Sequence, residues 1–541
     1  MAPGVDEVVV TATSLALGEP PIERHPRAQV LVSQGVSTES PLPPWWLDIS
    51  GHVLSARTVK TLGSPVGEFE VTCTMAPLGD APGADLVGNP ALLGKALSAV
   101  LIPNNVLWIA FDSGLPPPWG HGFETVMIGW ITAVEASTSI DQRGRPVRTV
   151  TITGGDSGKF YVGHDLPSPV LTAYMQGETE LERRAALGLT VMGTVGKVLE
   201  GVYLNVFQAL QPVPLAVREE GQLLIDPLLD GGEGPEVFTA YFYPHDLWQR
   251  QGKFWNIFVD HADRDWTEVY GDYIANPATH PVYANYRLVR PGVEAGMTLS
   301  GGGGPGYYLI ARRRPFPWGV PGSAERVASQ ARWDALPMTA IPDTVLKQEQ
   351  VRLDDSERVN LVMVKIAGSD VLPDQIWEAT AYGSALYDRD SMQQHGTHTY
   401  VGTTPYAPDP DGATLQDPSA QQEYANQQGT AWETIKRRAR ALFDWYWPNH
   451  RFWSGTWIVA GTPSIHIGER VCNAGDVARA TVLVTEAPPR SWYVERVVQD
   501  YVDGSHYFTH LALTRGESLI ASEAAQLLPG ASLPMTIPPA T

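Results

Sequence analysis

His395 and His398 form an H-x-x-H within QHGTHTY, a spacing at which two imidazoles could share a metal ion. No cysteine or third ligand stands close by and the segment lacks a helical apolar period, so a structural turn is expected there. Asp354 and Asp355 in RLDDSER are a carboxylate pair, the raw material of acid–base catalysis. Adjacent residues on a strand point to opposite faces, however, and the pair suits a hairpin turn better. Asp409 and Asp411 in APDPDGA suggest calcium by composition but lack the ligand spacing of an EF-hand, while Pro408, Pro410 and Gly412 around them are turn residues. The run SGGGGPG, residues 300–306, lacks the Gly-Lys-Ser/Thr ending of a phosphate loop and leads into strand-like YYLI, so it reads as a mobile loop. The sequence contains no G-x-S-x-G element. Cys73 and Cys472 are the only cysteines, too few for a disulfide framework, a four-thiolate zinc site or an iron–sulfur cluster, and both are expected reduced and buried. These residues nominate no catalytic, cofactor-binding or metal site, and the chain is read as a non-enzyme.

The elements that position these residues are mostly strands. HVLSARTVKTLGSPVGEFEVTCTMAP holds two β-favouring runs around Gly63–Gly67, the second alternating Phe69, Val71 and Cys73 with Glu70, Thr72 and Thr74, as in a hairpin with one buried face. VLWIAFD, residues 106–112, reads as a further strand. MIGWITAVEASTSIDQRGRPVRTVTITGGD is a long hairpin turning at Asp141-Gln142-Arg143-Gly144. Over 178–207 the period changes: Ala185, Leu189, Met192, Val195, Leu199 and Val202 recur every three or four residues, although Gly193 and Gly196 weaken the helix. A second helix spans AWETIKRRARALFDWYW, residues 431–447, with Trp432, Ile435, Ala439, Leu442, Phe443 and Tyr446 on one face and Lys436, Arg437, Arg438 and Arg440 solvated or salt-bridged on the rest.

The β segments repeat. TVLKQEQVRLDDSERVNLVMVKI, residues 344–366, again reads as strand, acidic turn, strand, and SIHIGERVC matches VLWIAFD. WYVERVVQDYVDGSHYFTHLALTRGE matches the long hairpin, each ending in Thr-X-Gly: Thr153-Gly154-Gly155 and Thr514-Arg515-Gly516. Three segments in the same order at both ends of the chain predict two β-barrels of shared topology.

At 541 residues the chain exceeds one hydrophobic core, and 52 Gly, 45 Pro and 17 Trp favour turns and short strands. The formal net charge of −21 excludes a sequence-independent nucleic-acid binder, which needs a Lys/Arg surplus to displace phosphate counterions. No uninterrupted 18-residue apolar run occurs: Lys197 and Glu200 break the nearest candidate, so no membrane insertion is expected. MAPGVDEVVV lacks the basic start and apolar core of a secretory signal, which implies a protein that stays in the cytoplasm where it is made.

In combination these segments resemble the tail-hub family, which includes the late control D proteins of contractile phages and the hub portion of secretion-system spike proteins. SARTVKTLGSPVGEFEVTCTM resembles the family's first barrel hairpin and MIGWITAVEASTSIDQRGRPVRTVTITGGDSGK its closing hairpin. FWNIFVDHADRDWTEVYGD with YYLIARRRPFPW resembles the middle domain. ALYDRDSMQQHGTHTY, ETIKRRARALFDWY, GTPSIHIGERVC and the final hairpin resemble the second barrel in order. The likeness runs from about residue 50 to 516. It implies a mainly β fold with α insertions: two similar hub-type β-barrels, a small α+β middle domain and a helical segment. The domains expected are an N-terminal arm over 1–26, a first barrel over 27–165, a helical connector over 166–235 and the middle domain over 236–343. A second barrel follows over 344–371 and 448–516, interrupted by an insertion with the amphipathic helix over 372–447 and followed by a flexible tail over 517–541.

The resemblance further implies a homotrimer whose six barrels adapt a threefold ring to a sixfold tail tube. Its partners would be the tail tube protein, the tape measure protein, a spike or tip protein and other baseplate proteins. The assembly would belong to the virion tail tip, built in the host cytoplasm, and DNA would cross the channel without specific binding. Arg312, Arg313, Arg314 and Lys436 to Arg440 should then point away from the lumen or pair with carboxylates. The alternatives are a glycan-binding or peptidoglycan-hydrolysing tail enzyme, because Trp-rich acidic chains often bind sugars, and a receptor-binding tip using residues 372–430.

Overall fold

The computed structural model describes residues 24–34, 45–78, 94–114, 122–140, 143–163, 165–166, 194–209, 222–230, 243–244, 252–289, 305–366, 385–404, 406–407, 433–474 and 490–518. Nearly all of the N-terminal arm, most of the tail, Asp409, Asp411, Asp141 and residues 300–304 of the glycine run lie outside these. The first part of the chain gives seven strands: β1 Arg27–Gln34, β2 Trp45–Asp48, β3 Val53–Thr61, β4 Glu68–Thr74, β5 Val106–Asp112, β6 Glu124–Ile140 and β7 Pro146–Gly155. They pair in the order β3-β4-β7-β6-β5-β1-β2. Alternation works as expected in β4, where Phe69, Val71 and Cys73 are buried and Glu68 and Glu70 exposed. One apolar core collects Leu47 of β2, Ala56 of β3, Val71, Ile109, Met127 and Ile152. Since β2 and β3 stand at opposite ends of that order, the sheet must curl for both to reach the same core.

The middle of the chain adds α1 Gly158–Gly163, β8 Asp165–Leu166, α2 Val195–Ala209, β9 Gln222–Ile225, β10 Tyr243–Pro244, β11 Gly252–Lys253, α3 Phe254–His261, β12 Thr267–Ile274, β13 Arg287–Val289 and β14 Gly306–Arg313. The sheet runs β12-β14-β9-β13, with β14 and β9 parallel. Its faces go separate ways, as period two requires. Leu223, Ile225, Val269, Leu309 and Ala311 pack on Val198, Leu199, Val202 and Phe258 of the helices. Leu224, Tyr270, Tyr308 and Ile310 pack on the last part of the chain. Gly196 sits in α2 because a Cβ there would lie 2.1 Å from Asp230 Oδ1, which explains a glycine the helical pattern disfavours. β9 and α2, which lie within the expected connector over 166–235, thus pair and pack with this sheet.

The rest comprises α4 Ala324–Asp334, β15 Met338–Ile341, β16 Leu346–Leu353, β17 Leu361–Ile366, β18 Ala385–Tyr387, α5 Arg389–His395, β19 Thr399–Thr404, β20 Tyr406–Ala407, α6 over 433–446, β21 Trp453–Ala460, β22 Arg470–Asn473, β23 Arg490–Val502 and β24 His506–Ser518. Two minor pairs, β8 with β11 and β10 with β20, tie distant segments together. The order β16-β21-β24-β23, with β22 beside β23, repeats β3-β4-β7-β6-β5 strand for strand. Trp130 faces Gly155 in the first closing hairpin, and Trp492 covers Gly516 in the second, where a Cβ would lie 2.6 Å from the ring. Both hairpins then shift register, between Ile131 and Ala133 and between Val494 and Arg496. The two halves belong to one 13-stranded sheet, joined where β23 pairs with β3.

One expected hairpin is corrected. Residues 344–366 do not fold back on themselves: β16 pairs with β21, while β17 pairs with β18 and, in parallel, with β19. The acidic turn deflects the chain into the insertion, whose core of Val362, Val364, Ile435, Leu442 and Trp445 packs on Trp266, Phe316 and Trp333. β17 thus pairs with β18 and β19 and packs against α6. The fold is mainly β with α insertions, in several sheets.

Candidate functional site

Of the groups singled out in the sequence, those among the described residues hold turns or lie buried. His395 ends α5 and its carbonyl meets His398 Nε2 at 3.1 Å. Asp354 caps a short turn, accepting from Ser356 N–H at 2.8 Å, and Asp355 pairs with Arg358. Cys73 and Cys472 are both buried as free thiols, and burial pushes the Cys73 thiol up to about 12, far from a reactive thiolate. Among the described residues, no group of three His, Cys, Asp or Glu side chains could hold a metal ion.

The chemistry gathers instead on β12, which the sequence reading passed over. Period two sets Glu268, Tyr270, Asp272 and Ile274 on the face turned toward the second half, so two carboxylates enter a protein interior. Each is met by charge. Arg312 stands directly across the sheet from Glu268 and donates to it at 2.6 Å, and Tyr493 of β23 donates at 2.8 Å. Asp272 accepts from Lys60 of β3 and meets His466 Nδ1 at 2.9 Å. Gly271, on the opposite face, leaves room for the Tyr307 hydroxyl, which would lie 1.7 Å from a Cβ.

Around Asp272 runs a cleft of about 570 Å³, lined also by Glu124, Tyr273, His280, Tyr283 and Glu469. Burial pushes Glu469 up to about 7, a shift that the nearby His466 charge limits. Burial alone would raise Asp272 as well, but Lys60 and His466 hold it well below the usual carboxylate range. Burial works to lower His466, yet the Asp272 charge and hydrogen bond override it and bring the imidazole to about 9. Two carboxylates pushed in opposite directions are the signature of an acid–base pair. Here Asp272 is committed: Oδ1 takes Lys60 and the Tyr273 N–H, Oδ2 takes His466, and the side chain is 5% exposed. It acts as a joint between elements.

The basic runs resolve into pairs. Arg312 is buried on Glu268, Arg438 on Asp263 at 2.9 Å, Arg440 bonds Asp444 and Lys436 bonds Glu433. Arg313 lies over the Trp445 ring and Arg437 over Trp318. Arg438 departs from the helical-wheel reading by turning fully inward, because Asp263, at φ +61°, waits beneath α6.

The exposed backbone edges are the second notable feature. Among the described residues β16 is paired on one side alone, by β21. β6 pairs with β5 through residues 124–130, beyond which its outer part, Thr132–Ile140, is paired among the described residues only by β7. Ile140, at the tip, is 76% exposed.

No family model matches the chain, and no curated protein does. Among solved structures it is similar to the 43 kDa tail protein of prophage MuSo2 from Shewanella oneidensis, at 9% identity over 90% of this chain and 98% of that one, TM-score 0.40. It is similar to a tail protein from Neisseria meningitidis MC58, at 10% identity over 90% of this chain and 96% of that one, TM-score 0.39. A third is the E. coli c3393 protein, described as a type VI secretion component resembling the T4 tail proteins gp27 and gp5, at 8% identity over 92% and 80%, TM-score 0.32. Likenesses of this strength assign no role to any residue.

Proposed function

We propose that this chain is a structural ring subunit, the hub of a phage tail or a related injection machine, and not an enzyme. The internal repeat and its unequal edges carry the reading. Within the chain, β23 of the second half pairs with β3 of the first, from Arg496↔Thr61 to Val502↔Ser55. In the repeat, β3 corresponds to β16 and β23 to β6. Aligning Trp130 with Trp492 sets Val134–Ile140 of β6 on Arg496–Val502, the residues that β3 covers. The same contact made again would join β16 of one copy to the outer part of β6 of the next. Such an interface is heterologous, and it either closes into a ring or runs on as a filament.

Three copies supply six similar halves, so a threefold assembly would present a nearly sixfold face to a tail tube. Tube, tape measure and spike or tip proteins are the partners this geometry suits. DNA would cross the ring without being gripped, since each chain carries −21 and the strongest basic residues are spent on internal carboxylates. Light scattering across a concentration series should give a mass near three times 58.9 kDa, alone or with a tube or spike partner added. A stable monomer under both conditions would overturn the ring.

A further inference from the structure

We propose that the Lys60–Asp272–His466 junction is a proton-operated latch, which ties the middle sheet to both repeat halves and loosens when His466 gives up its proton. The idea does not rest on the ring: it concerns a single chain. Asp272 stands on β12, Lys60 reaches it from β3 of the first half, and His466 from the turn between β21 and β22 of the second. One carboxylate therefore joins three parts of the fold that lie far apart in the chain. The adjoining cleft has walls from the same three parts, with Phe123–Thr125, Asp272–Asn276 and His466 with Glu469.

Exposure differs sharply across the pair. His466 keeps 32% of its side-chain surface open, and Asp272 keeps 5%. Water can take the proton from the imidazole but cannot resolvate the carboxylate, which is left buried with Lys60 as its sole cation. The hydrogen bond keeps its anionic acceptor but loses its cationic donor, so the hold of the second half on this end of β12 weakens, while Tyr493 still holds Glu268 at the other.

Of the other groups around the pair, Glu469, Asp156 and His280 titrate lower than His466. Glu469, pushed by burial up to about 7, accepts from the backbone N–H of His466 at 3.2 Å. His280, stacked on Tyr283 and 4.0 Å from Glu469, is lowered to about 4 by burial and then by the His466 charge, and so is neutral near pH 7. From β14, Arg312 is fixed in charge by Glu268, and Tyr307 lies beneath the Lys60 ammonium. Asp156, near Lys60, is raised by burial to about 7.

A histidine raised in the folded state contributes its full stabilisation below the ordinary value of about 6.5 and loses it as pH climbs through about 9. Glu469 and Asp156, also raised, lose theirs by about 7, at the lower edge of that window, so the loss continuing from there to about 9 is that of His466. Taken whole, the His466 shift corresponds to roughly 300-fold. Solvent at the cleft screens part of it, and about tenfold is expected.

Hydrogen–deuterium exchange on the full chain, corrected for the intrinsic rise of exchange with pH, reads the latch directly. Between pH 7 and 9.5, peptides covering β12 and residues 461–469 should open about tenfold more often, while peptides from β4 and β7 hold steady. H466Q should show the open level already at pH 7, with no further rise. A parent with flat exchange, or an H466Q variant with the same rise, would overturn the latch. Should H466Q fail to fold, the His466 ring of the unaltered protein can be titrated by NMR: a midpoint near 9 supports the proposal and one near 6.5 refutes it.

Discussion

Gly504 follows Asp503 at the tip of the last hairpin, with φ +63°, in a turn closed by Ser505 N–H to Val502 O at 3.1 Å. Asp503 is not left-handed, so this is not the type I′ turn that an Asp-Gly pair predicts; positive φ at the third position alone is the type II placement. No atom lies within 4 Å of where a Cβ would stand, so the cost of a side chain here is purely that of the backbone. Gly504→Val should lower stability by about 1 kcal/mol or more, and Gly504→Asn much less, because Asn tolerates this region. Equal melting temperatures for parent and Val variant would contradict the turn geometry. The Asp503-Gly504 pair marks this turn locally in the sequence, whereas nothing local marks the site on β12. TEVYGDY looks like a half-exposed strand with its acids in water, and nothing local reveals that Arg312, 44 residues on, and His466, 194 residues on, will bury Glu268 and Asp272. Those partners are made by topology, which no spacing rule reports. Removing one of them would be far costlier than never having the pair, since a buried charge would be left alone.

At the scale of elements, alternation and turn residues made β3, β4, β5, β6, β7, β23 and β24 legible, because each is a long run between clear breakers. The repeat was matched correctly except at the second strand of its first segment, where β21 and not β17 corresponds to β4. β16 and β17 look like a hairpin because an acidic turn separates two apolar-patterned runs, yet β16 finds β21 about a hundred residues later. An insertion inside a hairpin is invisible to local pattern when its first strand takes the place of the expected partner. The open edges were likewise unreadable, since an edge is a property of the finished sheet. They yield a prediction. Successive residues of a strand direct their backbone groups to opposite sides, so of Ala136→Pro and Ser137→Pro one strikes the bonds to β7 and the other strikes the free side of β6. The variant that melts like the parent should no longer assemble. If that variant keeps the parent's mass, the outer part of β6 is not the interface.

For the whole molecule, the repeat matters because it makes one chain two nearly equal units joined by a contact that can be reused. The junction at β23 and β3 is satisfied internally, and among the described residues the same two kinds of edge, on β16 and the outer part of β6, have no strand partner on one side. Long open edges invite uncontrolled pairing, and closing into a ring removes them. Charge fits the same arrangement, with arginines drawn onto buried carboxylates and the acidic excess left for the surface. Composition and repeat order were enough to reach a β-rich, two-unit chain from the sequence, while the bond between the units was not visible there. The central claim, that this chain closes head to tail into a threefold ring of six similar units, is tested most directly by electron-microscope images of the purified oligomer. Averages down the axis should show an open centre with six lobes alternating slightly in shape under threefold symmetry; a solid particle, a twofold dimer or an unbounded filament would contradict it.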